Sequence, residues 1–165
     1  MGVSVRLVEA RDADAIRRIY NREVVESTVT FDMVERSPEE QLAWIDEHRG
    51  AYAATVAVDA SIGAVVGFGS LTPYRPRPAY SPTVEDSVYV HPDHRGRGYG
   101  RLLLEELVQR GSDHGFHTVI ARIVGHHEAS IGLHARCGFE HAGTEREVGR
   151  KFNRWLDVVL MQRML

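Results

Sequence analysis

The sequence predicts a single mixed α/β domain over residues 1–165, and three observations support this prediction. Helix and strand patterns alternate in the order strand, two helices, strands, helix, strand, helix, strands, which is typical of one mixed domain. The length is close to the roughly 150 residues of an average domain, and no linker or repeat divides the chain. Apolar residues make up 43% and charged residues 26%, the balance of an ordinary globular protein. Wholesale disorder, a collagen-like fibre and a coiled-coil rod are therefore excluded.

The amino-terminal half is predicted to form a strand, two helices and a strand pair. Apolar and polar residues alternate over Val3 to Val8, as in a half-buried strand. Asp12 is placed to cap the next helix, which repeats apolar residues at helical spacing: Ala13, Ile16, Ile19, Tyr20 and Val24. The run Ser37-Pro38-Glu39-Glu40 is typical of the start of a second helix, whose apolar residues are Leu42, Trp44 and Ile45. Ala53 to Val58 and Gly63 to Leu71 then form a pair of strands joined by a turn.

The carboxy-terminal half is predicted to alternate strands and helices after a proline-rich loop. Prolines lack the amide hydrogen that a sheet needs, so the segment from Pro73 to Pro78 is expected to be a loop. Gly138 supplies the left-handed conformation that ends a helix. The predicted elements are strand Thr83–Val90, helix Tyr99–Arg110, strand Thr118–Val124, helix Glu128–Arg136, and strands near Phe139–Val148 and Leu156–Met164.

Charge and cysteine content argue against several classes of function. The formal net charge is -3 and the isoelectric point is about 6.3, so no basic excess attracts nucleic acid or an anionic membrane. The single cysteine, Cys137, cannot form an internal disulfide, and no apolar run approaches the ~20 residues of a membrane span. Met1 to Asp14 lack the apolar core of a signal peptide, so a cytoplasmic location is expected. No metal site is expected, because the close histidine pairs lack cysteine partners and zinc-ligand spacing: His91/His94 and His126/His127.

The most informative stretch is Arg95-Gly96-Arg97-Gly98-Tyr99-Gly100, which joins a strand ending at Val90 to the start of a helix. Glycines let a backbone approach a ligand closely, and the free amides of a first helical turn bind anions. Arg101 adds to the positive charge, so the segment predicts a phosphate site with a pyrophosphate as the expected ligand. A Walker loop and a Rossmann fingerprint both have other spacings. From the glycines alone, a plain strand-to-helix turn with surface arginines stays open as the alternative.

Several segments together resemble one enzyme family. The pattern Arg95-x-x-Gly98-x-Gly100 after a strand resembles the acetyl-CoA motif of the GNAT N-acetyltransferases. The match runs from about Val5 to Met161, and further segments are similar to the phosphinothricin and methionine sulfoximine acetyltransferase branch: Phe31-Asp32, Arg75 to Tyr80, Thr83-Val84-Glu85, Ser87 to Val90, Ala129 to His134, and Val148 to Asp157. The resemblance implies an α/β fold of the acyl-CoA N-acyltransferase type, with a central, mixed, mostly antiparallel sheet flanked by helices. It also implies a homodimer that moves the acetyl group of acetyl-CoA to the α-amino group of a small amino-acid analogue.

The chemistry of acetyl transfer and the resemblance together select the candidate residues. The attacking ammonium must lose a proton, and Glu85 lies on the strand that leads to the phosphate turn, where burial would suit it to act as the base. The resemblance gives Glu85 and His134 as the catalytic residues. It implies a cofactor site formed by Val88, Tyr89, Val90, Arg95, Gly96, Arg97, Gly98, Tyr99, Gly100, Arg101, His127 and Ser130. Because an arginine can hold a substrate carboxylate with two hydrogen bonds, it implies a substrate site formed by Arg75, Pro76, Arg77, Glu85, Asp86 and Ser87.

Two positions depart from the branch, and other functions stay open. His127 stands where the branch has asparagine, and Asp86 stands where it often has histidine. The Asp86 carboxylate, directly after Glu85 in sequence, could raise the pKa of Glu85 or repel a substrate carboxylate. The competing interpretations are acetylation of a protein amino terminus or of another small amine, a catalytically idle acyl-CoA-binding or sensor module, and nucleic-acid binding by the arginine–glycine run. Cys137 is expected to be buried rather than nucleophilic, and three aromatic residues are candidates for an apolar pocket: Phe31, Tyr80 and Trp155.

Overall fold

The computed structural model describes residues 2–165. Over these residues strands and helices follow one another as β1 Val3–Leu7, α1 Ala13–Glu26, α2 Pro38–Glu47, β2 Ala54–Asp59, β3 Ala64–Pro73, β4 Thr83–Val90, α3 Tyr99–Asp113, β5 Thr118–Val124, α4 Glu128–Arg136, β6 Glu140–Lys151 and β7 Arg154–Met164. Each predicted element is present, and β4, β5 and α4 match the prediction residue for residue.

The seven strands form one sheet in the order β1-β2-β3-β4-β5-β7-β6. Neighbouring strands are antiparallel except β4 and β5, which run parallel. The predicted mixed, mostly antiparallel sheet with flanking helices is therefore confirmed. A parallel pair needs a crossover connection, which α3 supplies here. This crossover places the amino terminus of α3 just beyond the carboxyl end of β4.

The starts of the two amino-terminal helices differ in how well local sequence predicts them. Ser37 caps α2 as expected, since its Oγ accepts from Glu40 N at 3.1 Å and Glu40 accepts from Ser37 N at 2.7 Å. The prediction that Asp12 caps α1 is wrong. Its carboxylate instead accepts from Glu9 N at 2.8 Å and from both terminal nitrogens of Arg6 at 2.8 Å, because β1 brings that guanidinium beside it.

Other sequence expectations need smaller corrections. The third helix continues beyond Arg110 to Asp113. Pro73 pairs with Val84 as the last residue of β3, so only the rest of the predicted loop lies outside the strands. Leu42 is exposed and does not share in the buried side of α2. The final two strands extend towards each other and meet in a tight turn, where two residues have positive φ: Phe152 at 50° and Asn153 at 57°.

Apolar layers cover both faces of the sheet. On one face α1 packs with the central strands through Ile16, Ile19, Tyr20, Val24, Val56 and Phe68. On the other face α3 buries Leu103, Leu104 and Leu107. This helix lies very close to the sheet, because Gly67 has no side chain: a Cβ there would lie 3.1 Å from Leu103 Cδ1. The close packing fixes the position of the α3 amino terminus relative to β4.

Candidate active site

A cleft opens in the sheet where β4 and β5 separate. β4 pairs with β3 along its whole length to Val90, but it pairs with β5 only from Thr83 to Asp86. Beyond Asp86 the two strands diverge and leave a cleft of about 400 Å³, lined by both strands, the glycine-rich turn and α4. The cleft therefore begins at Asp86 and leads to the phosphate turn predicted from the sequence.

The edge of β4 along the cleft carries unpaired backbone groups. Successive residues of a strand turn their backbone groups alternately to the two neighbouring strands. His91 N donates to Val66 O of β3 at 2.8 Å. By alternation, the backbone groups of Tyr89 also face β3, whereas those of Val88 and Val90 face the cleft. Of the three residues predicted to make backbone contacts, Val88 offers both backbone groups to the cleft and Val90 offers its amide, since the Val90 carbonyl already accepts from Arg95. Tyr89 also lines the cleft, but its backbone groups face β3, so this geometry does not support its predicted backbone contact; its ring packs against two aromatic residues, Tyr20 and Phe68.

The glycine-rich turn has the geometry of an anion site. Gly96 and Gly98 have φ of 75° and 85°, a region that glycine adopts at little cost. Gly98 directly precedes the first residue of α3, so the free amides of the first turn point out of the helix start. These glycines line the cleft together with Gly100 and Arg101. Arg97 is exposed and lies outside the lining, which leaves its predicted cofactor contact unsupported by the cleft geometry.

Arg95 lies across the free edge of β4. Its Nε donates to Val90 O at 3.1 Å, and its terminal nitrogen pairs with Glu23 of α1. Glu23 lines the cleft and is 5% exposed. Sequence reasoning missed Glu23, although its spacing of three from Tyr20 places it on the buried side of α1. An acid on that side of a helix was the available signal.

Glu85 lies on β4 just before the point where the strands separate. It is half-buried, and its side chain points to the opposite face of the sheet from Asp86. Burial raises the pKa of Glu85, and the charge of Asp86 raises it further, while Arg122 and Arg75 oppose the shift. The pKa stays above the ordinary glutamate value. The expectation that burial and Asp86 would raise this pKa is confirmed.

Asp86 and His134 form a buried pair inside the cleft. Asp86 Oδ2 lies 2.9 Å from His134 Nε2, and the two side chains are 1% and 5% exposed. His134 Nδ1 lies 2.8 Å from the carbonyl oxygen of Ser130, one turn earlier on α4. The remaining oxygen of the carboxylate, Asp86 Oδ1, is buried and has no hydrogen-bond partner within the described residues. The structure thus joins two predicted residues that sequence reasoning considered separately.

The proline-rich loop places its arginines outside the cleft. Arg75 and Arg77 are exposed, and the Arg75 guanidinium lies 5.0 Å from the ring centre of Tyr74. Arg75 nevertheless lowers the pKa of Glu85, so its guanidinium lies near enough for its charge to act on that carboxyl. The three aromatic candidates do not line the cleft and are largely exposed: Phe31, Tyr80 and Trp155.

His127 is half-buried at the start of α4 and lines the cleft. Burial lowers its pKa, and the charge of Arg95 lowers it further, which favours the neutral ring. In residues 2–165 no three potential ligand side chains lie close enough together to hold a metal ion. None of the helices in the described part of the chain is long and apolar enough to cross a membrane.

Comparison with known proteins decides the family. Residues 13–139 match the acetyltransferase (GNAT) family. The chain belongs to the GNAT family. It is 42% identical to a phosphinothricin N-acetyltransferase of Streptomyces coelicolor, with 99% of this chain and 96% of the relative covered. It is 40% identical to an L-methionine sulfoximine/L-methionine sulfone acetyltransferase of Pseudomonas aeruginosa, with 98% and 94% covered.

A solved structure agrees with the sequence relatives. A GNAT superfamily phosphinothricin acetyltransferase from Sinorhizobium meliloti in complex with AcCoA superimposes with a TM-score of 0.95 at 39% identity, covering 100% of this chain and 89% of that one. The resemblance drawn from the sequence is confirmed. This GNAT protein is an acetyl-CoA-dependent N-acetyltransferase.

The cleft of this GNAT enzyme fits acetyl-CoA. A pyrophosphate needs amide donors and positive charge, which the turn at Gly96 to Arg101 offers. The pantetheine arm carries amides that need backbone partners, and the unpaired edge of β4 at Val88 and Val90 offers them. The thioester lies at the far end of that arm, and the cleft ends at Asp86; Glu85 precedes Asp86 on β4 but does not itself line the cleft. The anion site at the glycine-rich turn and the backbone groups of β4 therefore follow one another along the cleft in the same order as the pyrophosphate and pantetheine of acetyl-CoA.

Proposed function

We propose that the protein acetylates the α-amino group of a small amino-acid analogue of the methionine sulfoximine, methionine sulfone or phosphinothricin type. The observation that carries the proposal is identity of 40–42%, over nearly the full length, to enzymes named for these substrates. The retained Glu85 and His134 support a working enzyme rather than an idle acyl-CoA-binding module. The residues 1–165 then act as one catalytic unit around a single sheet.

Acetyl transfer proceeds by direct attack of the amine on the thioester. Glu85 is the proposed base, because its raised pKa brings proton-accepting strength closer to neutral pH while it still ionises. The free amides of the β4 edge supply a donor for the oxyanion that forms during attack. Cys137 is buried in the apolar core, and burial raises the pKa of its thiol, so a covalent cysteine intermediate is disfavoured.

Substrate selection is assigned to the Glu85 side of the sheet. The substrate carboxylate requires a guanidinium, and Arg75 provides one close enough to act on Glu85. Arg77 and Pro76 shape the same exposed loop, and Ser87 follows Glu85 on the same face of β4. Positive charge beside the base therefore favours a substrate that has a carboxylate next to its amine.

The experiment is a substrate screen read by release of the CoA thiol. Methionine sulfoximine, methionine sulfone and phosphinothricin are compared with the parent amino acids, with simple amines and with a short peptide. The proposal expects the highest kcat/KM for the three analogues and a loss of at least tenfold when the substrate carboxylate is replaced by an amide. A peptide preferred over all three analogues would overturn the substrate class while leaving acetyl transfer intact.

A homodimer is also proposed. Large apolar side chains are exposed together on the β6–β7 hairpin, where Val148, Phe152 and Trp155 are each more than half exposed. Symmetric dimers are the commonest soluble oligomers. Light scattering at micromolar concentration should return twice the 18.5 kDa chain mass, and a monomer mass would contradict the proposal. A cytoplasmic location is proposed because Cys137 is free and buried, and cell fractionation tests it.

A further inference from the structure

The contacts of His134 require one hydrogen more than a neutral histidine and an ionised aspartate can provide. The Ser130 carbonyl oxygen can only accept, so Nδ1 of His134 must carry a hydrogen to bond it at 2.8 Å. The 2.9 Å contact between Nε2 and Asp86 Oδ2 also needs a hydrogen between the two atoms. Without it, two lone pairs would face each other in a buried site. Asp86 and His134 together therefore hold one shared proton.

The surroundings of the pair keep this proton in place. Burial alone would lower the pKa of His134, but the charge of Asp86, its hydrogen bond and the hydrogen bond to Ser130 together raise the pKa and outweigh burial. Phe139 packs edge-on against the imidazole at 5.0 Å and excludes water from that side. Ionisable groups on the elements around the pair include Glu85 on β4, Arg122 on β5, His127 at the start of α4 and Arg136 at its end.

The Asp86–His134 pair lies at the end of the cleft that we assign to the thioester of acetyl-CoA. Asp86 is the last residue of β4 that pairs with β5, and both Asp86 and His134 line the cleft from there. Asp86 Oδ1 is buried and lacks any partner among the described residues, so it is open to a donor from whatever fills the cleft. Glu85 lies on the other face of the same strand, one residue away. A base and a proton-holding pair thus flank the same point of the sheet.

We propose that the Asp86–His134 pair supplies its shared proton to the sulfur of the departing CoA thiol, with Asp86 acting as the positioning residue that keeps His134 charged. This inference rests on the proposed acetyl transfer. When the carbon–sulfur bond breaks, the electron pair stays on sulfur. CoA leaves more readily as a neutral thiol than as a thiolate, so a proton donor near the sulfur assists this step. Glu85 takes a proton from the substrate, so the donor must be a second group.

The proton count of this step balances. The carbon–sulfur bond breaks and its electron pair goes to sulfur. The hydrogen on Nε2 moves to sulfur, a sulfur–hydrogen bond forms, and the nitrogen keeps the electron pair of its old bond. His134 is left neutral, with its Nδ1 hydrogen still bonded to Ser130 and its bare Nε2 facing Asp86 Oδ2. This contact between two lone pairs is unfavourable, so it favours prompt return of a proton to the pair. The substrate ammonium loses two protons in forming the amide, one to Glu85 and one that restores the pair through solvent.

The first test measures the proton on the free protein. Nitrogen-15 NMR of the histidine rings, with His134 assigned from the spectrum of His134→Gln, follows its titration without acetyl-CoA. The wild-type ring should stay doubly protonated to a higher pH than an ordinary histidine. In Asp86→Asn only the hydrogen bond to Ser130 still opposes burial, which is the largest single influence on the pKa of His134, so the ring should titrate below the ordinary value. A neutral His134 in the wild type at pH 7 would overturn the proposal, even if Asp86→Asn failed to fold.

The second test measures kcat against pH. Wild-type kcat should fall on the alkaline side as the pair loses its proton. In Asp86→Asn this fall should move to lower pH, with kcat at pH 8 reduced by roughly 10²–10³, while the calorimetric Kd for acetyl-CoA changes less than about threefold. Asp113→Asn, at an exposed aspartate of α3, is the matched control and should behave as wild type.

The two proposals fail in different ways. An Asp86→Asn enzyme that keeps the wild-type kcat and alkaline limb would refute the role of the pair and leave acetyl transfer standing. A wild-type protein that binds acetyl-CoA but acetylates none of the amines would refute the proposed function. In that case the NMR titration still decides whether the shared proton exists.

Discussion

Replacement of Gly98 tests the cofactor site most directly. This residue precedes α3 with φ of 85°, and a Cβ added there meets no atom within 4 Å. A substitution therefore strains the backbone without a steric clash. Asparagine and aspartate tolerate this conformation better than other residues with side chains, and they have nearly the same shape. Gly98→Asn and Gly98→Asp should lose similar stability, about 1 kcal/mol, and they differ in one negative charge.

The charge decides how much affinity is lost. For a separation of about 5 Å between a bound phosphate and a carboxylate at this position, Coulomb's law gives a repulsion of about 3 kcal/mol at an effective dielectric constant near 20. That repulsion corresponds to roughly a hundredfold increase in Kd. Gly98→Asn should bind acetyl-CoA with a Kd within about tenfold of the wild type.

Isothermal titration calorimetry with acetyl-CoA measures both variants, and thermal denaturation confirms that they lose equal stability. Raising the salt concentration should narrow the gap between them, because ions screen exposed charges. If Gly98→Asp bound acetyl-CoA as tightly as Gly98→Asn at low salt, the phosphate would not lie at the start of α3 and the assignment of the cleft would be wrong.

Three further variants test the base, the cleft and the core. Glu85→Gln should lower kcat by roughly 10²–10⁴. It should also remove the acidic limb of the pH profile, where the wild-type rate rises as the pH passes the raised pKa of Glu85. Glu39→Gln is the control, and an unchanged acidic limb in Glu85→Gln would exclude Glu85 as the base. Glu23→Gln should tighten acetyl-CoA binding about two- to fivefold by freeing Arg95, because an ion pair whose arginine is exposed to solvent is worth roughly 0.5–1 kcal/mol; equal or weaker binding in calorimetry would contradict this. Leu107→Ala should cost about 2–5 kcal/mol of unfolding free energy in urea, and the 42% exposed Leu102 on the same helix should cost far less when replaced by alanine.

Local signals account for what the sequence predicted well. The helix α2 begins where a serine, a proline and two acids stand together, because these residues satisfy its free amides without distant help. Gly138 follows the end of α4 with φ of 83°, a conformation that glycine adopts at little cost, so this signal is also local. The glycine-rich turn also depends on neighbours in sequence, so its place between β4 and α3 was predictable.

Contacts between distant residues account for what the sequence did not predict. Asp12 has the right position for a cap, but the guanidinium of Arg6 competes for its carboxylate once the strand and helix meet. Asp86 and His134 are 48 positions apart, and nothing in either local pattern indicates that they share a proton. The resemblance to a family selected both residues, yet only the fold shows that they act on one another.

The shortness of the parallel pairing has a consequence for the whole molecule. β4 pairs with β5 only from Thr83 to Asp86. This short pairing is the narrow seam that joins the β1–β4 part of the sheet to the part formed by β5, β7 and β6. A cofactor seated in the cleft touches both sides of that seam and cross-links them. A ligand at a hundred times its Kd adds about 2.7 kcal/mol to the free energy of unfolding. Acetyl-CoA at concentrations above its Kd should therefore protect the protein against local opening and proteolysis, in addition to serving as a substrate.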